Sequence, residues 1–426
     1  MVLLGGAGGC PHGAGLSGEW PGKEAVENGW RLVTMCRLSD RKEVIMSESP
    51  KVRGGLCLNV DGEGCKKFVA RDIAREQAKA PIANGPKSVL VLGCSGGYGL
   101  ASRIAAAFGG SAAATLGVSF ERAPTDRKAG SPGWYNNEAF DEAAKAAGLK
   151  TVTISADAFA DATRETVANL AKENGFEPFN LVVYSLASPM RTDPKTGITY
   201  KSAIKPIGKP HVARTLDIMT CEMKEVAVDP ASDEEIAATV KVMGGEDWVL
   251  WIDFLKAQGL LAKGCKTVAY SYIGPKCTQD IYRSGTLGRA KENLEASART
   301  ITAALADLGG IGVVSVNKAL VTRASAVIPA MPPYISCLFK VMKAHGLHED
   351  CLDQIDRLFR ERLYATNGVM PVDEAGRIRI DDWEMRPEIQ AEVDALMATL
   401  SPENVEATTD IAGYRTDFLA LHGFVG

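Results

Sequence analysis

The amino-acid sequence predicts an α/β fold with a doubly wound parallel sheet. Apolar strand-like segments alternate with amphipathic helix-like segments, a pattern typical of parallel strands joined by helical crossovers. The first of these strands runs directly into a glycine-rich turn and a helix. Hydrophobic residues make up 46% of the 426 residues, enough for a sizeable core.

The first predicted strand covers residues 88–93, an uninterrupted apolar run typical of a strand buried on both faces. Where it ends, Gly93, Gly97 and Gly99 follow with G-x3-G-x-G spacing, and residues 100–108 supply a helix. Such glycines let the backbone turn sharply and approach a pyrophosphate, whose charge faces helix N-terminal N–H groups. The segment therefore predicts the start of a dinucleotide-binding unit.

A second strand is predicted over residues 114–120 and is followed by Glu121, 22 residues after Gly99. A carboxylate there can accept hydrogen bonds from the ribose 2′-OH of NADH and repel the 2′-phosphate of NADPH. The neighbouring Arg122 keeps NADPH open as the less favoured alternative. NADH is the predicted cofactor.

Further strands are predicted at 150–156, 180–187, 265–273 and 310–317, with helices at 136–147 and 161–174 between them. Residues 188–262 form a predicted insertion on the substrate side, turn-rich at first and then helical. Ser232 and Glu235 have the spacing of a capping box for one of its helices. The C-terminal third is predicted to be helical, and residues 46–426 to form one large domain.

The N-terminal segment, residues 1–45, differs from the rest in having eight glycines in its first 22 positions and no apolar periodicity. We expect it to be disordered or not native. Codons for Lys42, Glu43 and Val44 can form a bacterial ribosome-binding sequence just upstream of Met46. The hypothesis is that Met46 is the true initiator.

Composition argues against several classes of protein. The net charge of -4 gives no general basic surface for nucleic acid or membranes, and no apolar run is long enough to span a bilayer. His345 and His348 have helical spacing for a metal pair, but charged neighbours indicate a solvated face, so no metal is predicted. The ten cysteines include no C-x2-C pair and are interpreted as reduced thiols. We expect a cytoplasmic protein.

Two tyrosine–lysine pairs could serve hydride-transfer chemistry, which needs a donor to stabilise an oxyanion. Tyr272 and Lys276 have the Y-x3-K spacing of ordinary short-chain dehydrogenases, although Gly274 and Pro275 interrupt a helix there. Tyr282 and Lys291 are spaced Y-x8-K. If a helix begins near Thr286, Tyr282 precedes it and Lys291 lies one to two turns inside, so both can reach a shared pocket.

From about residue 51 to its end, the chain resembles the trans-2-enoyl-CoA reductases and the related V-type bacterial enoyl-ACP reductases. The Y-x8-K spacing is specific to that family among short-chain-like reductases. Similar stretches lie at 93–103, 133–136, 184–189, 191–194, 243–248, 269–275, 285–286, 318–322, 339–343 and 381–384.

The resemblance implies a single Rossmann-like, short-chain-dehydrogenase-like domain that uses NADH to reduce the trans-2 double bond of an enoyl thioester in fatty acid metabolism. By the same resemblance Tyr282 hydrogen-bonds the thioester oxygen or donates a proton, Lys291 holds the nicotinamide ribose, and Tyr272 places the thioester carbonyl. The implied cofactor-binding residues, besides Lys291, are Cys94, Ser95, Gly96, Gly97, Tyr98, Gly99, Phe120, Glu121, Asp157, Ala158, Leu186, Ala187, Leu320, Val321 and Thr322.

Some features depart from the family pattern or leave alternatives open. Lys276 stands where the family commonly has an acid, and the chain stops at Gly426 where relatives run longer. The carrier, CoA or acyl-carrier protein, and the acyl length stay open, and the resemblance favours a monomer. The alternatives are a carbonyl or 3-ketoacyl reductase using Tyr272 with Lys276, and a dinucleotide-binding regulator without catalysis.

Overall fold

The computed structural model describes residues 49–53, 55–280 and 282–424. In this part of the chain the strands β1–β13 are, in order, Val52–Arg53, Leu56–Cys57, Ser88–Leu92, Ala114–Ser119, Thr151–Ser155, Phe179–Tyr184, Met190–Thr192, Thr199–Lys201, His211–Leu216, Met223–Val228, Leu261–Ser271, Ile311–Val316 and Ile378–Arg379. The helices α1–α12 are Gly62–Gln77, Gly97–Phe108, Pro132–Ala146, Asp161–Glu173, Asp233–Met243, Glu246–Ala257, Thr286–Ala304, Met331–Ala344, Cys351–Leu358, Pro387–Thr399, Val405–Thr408 and Ile411–Ala420.

A seven-stranded parallel sheet in the order β13-β12-β11-β6-β3-β4-β5 forms the centre of the fold. From β3 the chain adds β4 and β5 on one side, and then returns to place β6 on the other. This reversal makes a topological switch point at the carboxyl ends of β3 and β6, where open α/β sheets bind their ligands. The doubly wound parallel fold is confirmed.

The central strand β3 shows why the sheet is buried on both faces. Val89 and Val91 pack into a core with helices α1, α2, α3 and α9, whereas Leu90 and Leu92 pack on the opposite side with α4, α6 and α7. Because successive side chains of a strand point to opposite faces, only an uninterrupted apolar run satisfies both cores. The predicted strand at 180–187 is too long, since β6 ends at Tyr184.

The predicted insertion, residues 188–262, contains strands that the sequence does not predict. Strands β7 and β8 form one antiparallel hairpin, and β9 and β10 form a second. Exposed Lys224 and Glu225 in β10 obscure the apolar alternation that marks a strand. The helical half is as predicted, because α5 carries the capping box between Ser232 and Glu235.

The C-terminal part is largely helical, and α8, α10 and α12 share a third core around Tyr334, Ile389 and Phe418. The two-residue strand β13 is too short for an apolar pattern to predict. His345 pairs with Glu392 at 2.8 Å (Nε2 to Oε1).

None of the described helices is long and apolar enough to cross a membrane. Residues 1–45 and the proposed start at Met46 lie outside the described residues.

Candidate active site

The glycine-rich turn after β3 combines two crowded glycines with two open ones. Gly93 has φ +88°, and a Cβ there would lie 2.2 Å from the Ser185 carbonyl oxygen. A Cβ on Gly99 would lie 1.9 Å from the carbonyl oxygen of Gly93, so packing requires both residues to be glycine. By contrast, apart from the adjacent chain and the helix's own backbone, no atom lies within 4 Å of a Cβ built on Gly96 or Gly97.

This open space faces the start of α2. Gly96 is the N-cap of that helix and offers no side-chain hydrogen bond to its first N–H groups. Unpaired N–H groups at a helix N-terminus, reached over bare glycine backbone, are suited to a pyrophosphate. The residues present here therefore fit a dinucleotide cofactor.

Two side chains of the turn face away from this space. Cys94 is buried, its Sγ lies 3.6 Å from Asn137 Oδ1, and burial raises its thiol pKa to about 11. The Tyr98 hydroxyl donates to the Lys318 carbonyl at 3.0 Å. Of the predicted contacts in this turn, Cys94 can offer only its backbone, whereas Tyr98 connects the start of α2 to the segment after β12.

Glu121 lies at the carboxyl end of β4, beside the open turn. Its Oε1 accepts a 2.7 Å hydrogen bond from the Ser95 hydroxyl, and a Cβ on Gly133 would lie 2.3 Å from the same oxygen. The preceding residue, Phe120, is 81% exposed, which is unusual for a phenylalanine. An exposed ring next to a held carboxylate matches the requirements of an adenosine, with stacking for the base and an acceptor for the ribose.

The remaining predicted cofactor residues follow three other strands at the same edge of the sheet. Asp157 comes after β5 and accepts from the Phe159 N–H at 3.0 Å, whereas the Ala158 carbonyl is already engaged by Trp251. Leu186 and Ala187 follow β6, and Leu320, Val321 and Thr322 follow β12. Ser325 braces this last segment by donating to the Leu320 carbonyl at 2.6 Å. One edge thus brings all the predicted positions together.

Tyr272 and Tyr282 meet at this edge with ring centroids 4.8 Å apart and an interplanar angle of 77°. Tyr272 follows β11, and Tyr282 precedes α7, which begins at Thr286 as the sequence predicts. Burial raises the pKa of both hydroxyls, more than nearby Glu384 does, so both are protonated at neutral pH.

Lys291 lies on the second turn of α7, and its ammonium donates to the Tyr270 carbonyl at 3.2 Å. Burial lowers its pKa to about 8, partly offset by Glu295. No hydrogen bond between described residues joins Lys291 to Tyr282. The competing Lys276 is exposed and begins a 3-10 turn, away from any helix shared with Tyr272.

Sequence reasoning missed Glu384, which is fully buried at the back of the tyrosine pair. Its Oε1 accepts from the hydroxyls of Tyr334 at 2.7 Å and Tyr272 at 3.2 Å, and its Oε2 accepts from the Ala319 N–H at 2.7 Å. Residues 381–384 contribute to the family resemblance, but nothing in the sequence shows that this acid faces the site.

Comparisons with known proteins identify the family of this chain. The model described as the trans-2-enoyl-CoA reductase catalytic region matches residues 128–364, and the NAD(P)H binding domain of trans-2-enoyl-CoA reductase matches residues 47–126. The chain belongs to the trans-2-enoyl-CoA reductase family. The family prediction is therefore confirmed.

Among its relatives, the trans-2-enoyl-CoA reductase [NADH] of Treponema denticola is 56% identical over 384 residues, covering 89% of this chain and 96% of the relative. The enoyl-[acyl-carrier-protein] reductase [NADH] of Flavobacterium johnsoniae is 52% identical, covering 88% and 94%. The crystal structure of the Treponema denticola enzyme in complex with NAD has a TM-score of 0.84 and covers 88% of this chain and 94% of that one.

A third model, described as an enoyl reductase FAD binding domain, matches residues 372–425. Two glycines in the described part of that segment pack closely against other residues. A Cβ on Gly413 would lie 2.2 Å from the Asp410 carboxylate, and one on Gly423 would lie 1.9 Å from the Asp61 carbonyl oxygen. Both positions are filled by protein atoms, unlike the open space at Gly96, and the same segment supplies Glu384 to the site.

Proposed function

We propose that this chain reduces the trans-2 double bond of an enoyl thioester, using NADH, in fatty acid metabolism. The observation that carries the proposal is the edge-on contact between Tyr272 and Tyr282, with Lys291 on the adjoining helix. The NADH-dependent activities named for the relatives support the same reaction. The substrate is an enoyl-CoA or an enoyl-acyl-carrier protein, two carriers that present the same reacting atoms.

Bound NADH supplies the hydride that reduces the β-carbon of the double bond. As negative charge moves to the thioester oxygen, the Tyr282 hydroxyl donates a hydrogen bond or a proton to it. The raised pKa of Tyr282 keeps that proton in place until the charge develops. Tyr272 positions the thioester carbonyl, and Lys291 holds the nicotinamide ribose and assists proton movement at Tyr282.

Residues at the carboxyl edge of the sheet would hold the dinucleotide. The turn after β3 holds its pyrophosphate by backbone N–H groups at Gly96 and Gly97. Phe120 and Glu121 bind the adenosine ribose, and Asp157 with Ala158 lies by the adenine. The nicotinamide half is lined by Leu186, Ala187, Leu320, Val321 and Thr322. Glu121 favours NADH over NADPH because its carboxylate repels a 2′-phosphate.

The proposal extends to the setting of the enzyme. Residues 46–426 act as one reductase domain, which works as a monomer in the cytoplasm without nucleic acid, membrane or metal. The insertion, 188–262, covers the substrate side.

The deciding experiment follows the near-ultraviolet absorbance of NADH with crotonyl-CoA and, in parallel, acetoacetyl-CoA. Oxidation with crotonyl-CoA alone is expected. Tyr282→Phe should lower kcat about 10²-fold or more, since it removes a general acid. Turnover with acetoacetyl-CoA alone, lost mainly in Tyr272→Phe, would replace the proposal with a carbonyl reductase. Binding of NADH with no turnover of either thioester would indicate a regulator.

A further inference from the structure

The buried carboxylate of Glu384 links three parts of the site. It comes from the C-terminal segment and contacts Tyr272 after β11, the backbone of Ala319 after β12, and Tyr334 on α8. Gln390 supports it by donating from Nε2 to the Glu384 carbonyl at 2.7 Å and to the Tyr334 hydroxyl at 3.2 Å. The two tyrosine hydroxyls and the backbone N–H that contact the carboxylate all donate hydrogen bonds to it.

The Tyr272 hydroxyl can donate to Glu384 or to a substrate carbonyl, but not to both. A tyrosine hydroxyl has one proton to donate. An ionised Glu384 accepts that proton, and then Tyr272 has none left for a thioester carbonyl. A neutral Glu384 carries a proton of its own, which it can donate to the Tyr272 oxygen, so that the Tyr272 proton becomes free to face the substrate.

We propose that Glu384 is a positioning residue that controls Tyr272, with only its protonated form leaving the Tyr272 hydroxyl free to donate to the thioester carbonyl. The inference rests on the proposed function, which places the substrate carbonyl at Tyr272. Glu384 itself touches neither substrate nor cofactor. The proton that it gains comes from solvent and returns there, so the stoichiometry of the reduction is unchanged.

The groups around Glu384 place its protonation near neutral pH. Burial raises the pKa of the Glu384 carboxyl to about 7, against the lowering effects of the Tyr334 hydroxyl, the Ala319 N–H and Lys318. Asp381 on its own segment raises it further. The other titratable groups that face it are Tyr98, Tyr272, Tyr282 and Cys277, all neutral at that pH because burial raises the pKa of each.

The test measures KM for crotonyl-CoA from about pH 6 to about pH 8 at saturating NADH. In the unaltered enzyme KM should rise about tenfold over this range, as a single ionisation removes the donor. Glu384→Gln mimics the protonated acid, since its amide can donate to Tyr272 and accept from Ala319, so its KM should stay flat. A carboxylate with a purely structural role would not change the pH profile of KM.

Tyr334→Phe provides a second test that leaves Glu384 in place and does not depend on folding of the glutamine variant. Removing this donor destabilises the ionised carboxylate, so the rise in KM should move to higher pH. A pH profile unchanged in both variants would overturn the inference.

Tyr272→Phe separates this inference from the proposed function. It should raise KM at low pH and remove the further rise with pH. If Tyr272→Phe left KM unchanged at every pH, the proposed placement of the substrate by Tyr272 would be wrong. If it raised KM while Glu384→Gln retained the full pH dependence, only the control by Glu384 would be wrong.

Discussion

Arg323 reaches across the cofactor edge to Glu121, with Nη1 of the arginine 3.4 Å from Oε1 of the glutamate. The arginine is 57% exposed, so the pair is screened by solvent and contributes little to stability. Its position matters more, because it places a cation beside the acid that we propose selects against a 2′-phosphate. We therefore expect the charge of Glu121 to oppose binding of NADPH at this edge.

Glu121→Gln should therefore relax the choice of cofactor. The amide no longer repels a 2′-phosphate, and Arg323 becomes free to bind it. A hydrogen bond to a charged group contributes about 1.5–3 kcal/mol, so the ratio of kcat/KM for NADH to that for NADPH should fall about tenfold to a hundredfold. Steady-state kinetics with both cofactors measure this ratio.

Asp126→Asn is the matched control for this change. Asp126 is an exposed acid in the loop after β4, and its substitution removes the same charge near the site. The NADH preference should stay as in the unaltered chain. An equal shift in both variants would assign the selectivity to net charge and not to the carboxylate of Glu121.

The glycine turn allows binding to be separated from folding. Gly96→Ala places a methyl group in open space at φ -170°, so the midpoint of thermal unfolding should not change. The methyl occupies the cradle, however, and NADH should bind about tenfold or more weakly. Gly99→Ala should instead destabilise the fold, because its Cβ would meet the Gly93 carbonyl oxygen at 1.9 Å.

Thermal unfolding and NADH fluorescence titration together distinguish these two substitutions. Gly96→Ala should weaken NADH binding without lowering the unfolding midpoint. If that variant bound NADH normally, the pyrophosphate would not lie over Gly96.

Much of this fold and site could be predicted because local sequence determines them. The strand at Ser88–Leu92 is apolar on both faces, and the crowded Gly93 and Gly99 cannot carry a side chain, so pattern and structure coincide there. The break at Gly285 separates Tyr282 from the helix of Lys291, as the Y-x8-K spacing requires.

Contacts between distant segments could not be predicted in this way. Glu384 lies 112 residues from Tyr272 in sequence, and nothing in its neighbours shows which of the acids at 381–384 turns inward. The hairpin β9–β10 is equally hidden, because its strands are paired with each other outside the main sheet and expose charged side chains.

Lys291→Met should strongly lower turnover without weakening the fold. Burial lowers the Lys291 pKa to about 8, below that of a free lysine, so the protonated form is disfavoured by folding. Removing the cation should maintain or raise the unfolding midpoint at neutral pH, since Glu295 keeps its contacts with Arg283 and Arg377 at 3.2 and 3.3 Å. The kcat should fall about 10²-fold or more.

Titration of Lys291 should make both kcat and stability depend on pH. In the unaltered chain kcat should decline as pH rises through about 8, where Lys291 loses its proton. Stability should increase between that pH and the pKa of an unfolded lysine, because the unfolded chain there binds more protons. The exposed Arg289 on the same helix provides the control, and Arg289→Met should leave kcat unchanged. Equal losses in the two variants would contradict a specific role for Lys291.

The buried acid Asp247 should stabilise the attachment of α6 to the sheet. It pairs with buried Arg164 and accepts from the Tyr184 hydroxyl at 3.2 Å. Asp247→Ala leaves the guanidinium with less compensation in the core and should cost about 3–5 kcal/mol in the free energy of unfolding. Asp161→Ala removes a 64%-exposed partner of the same arginine and should cost about 0–1 kcal/mol. Urea unfolding of both variants measures the difference, and equal costs would show that burial does not set the strength of these ion pairs.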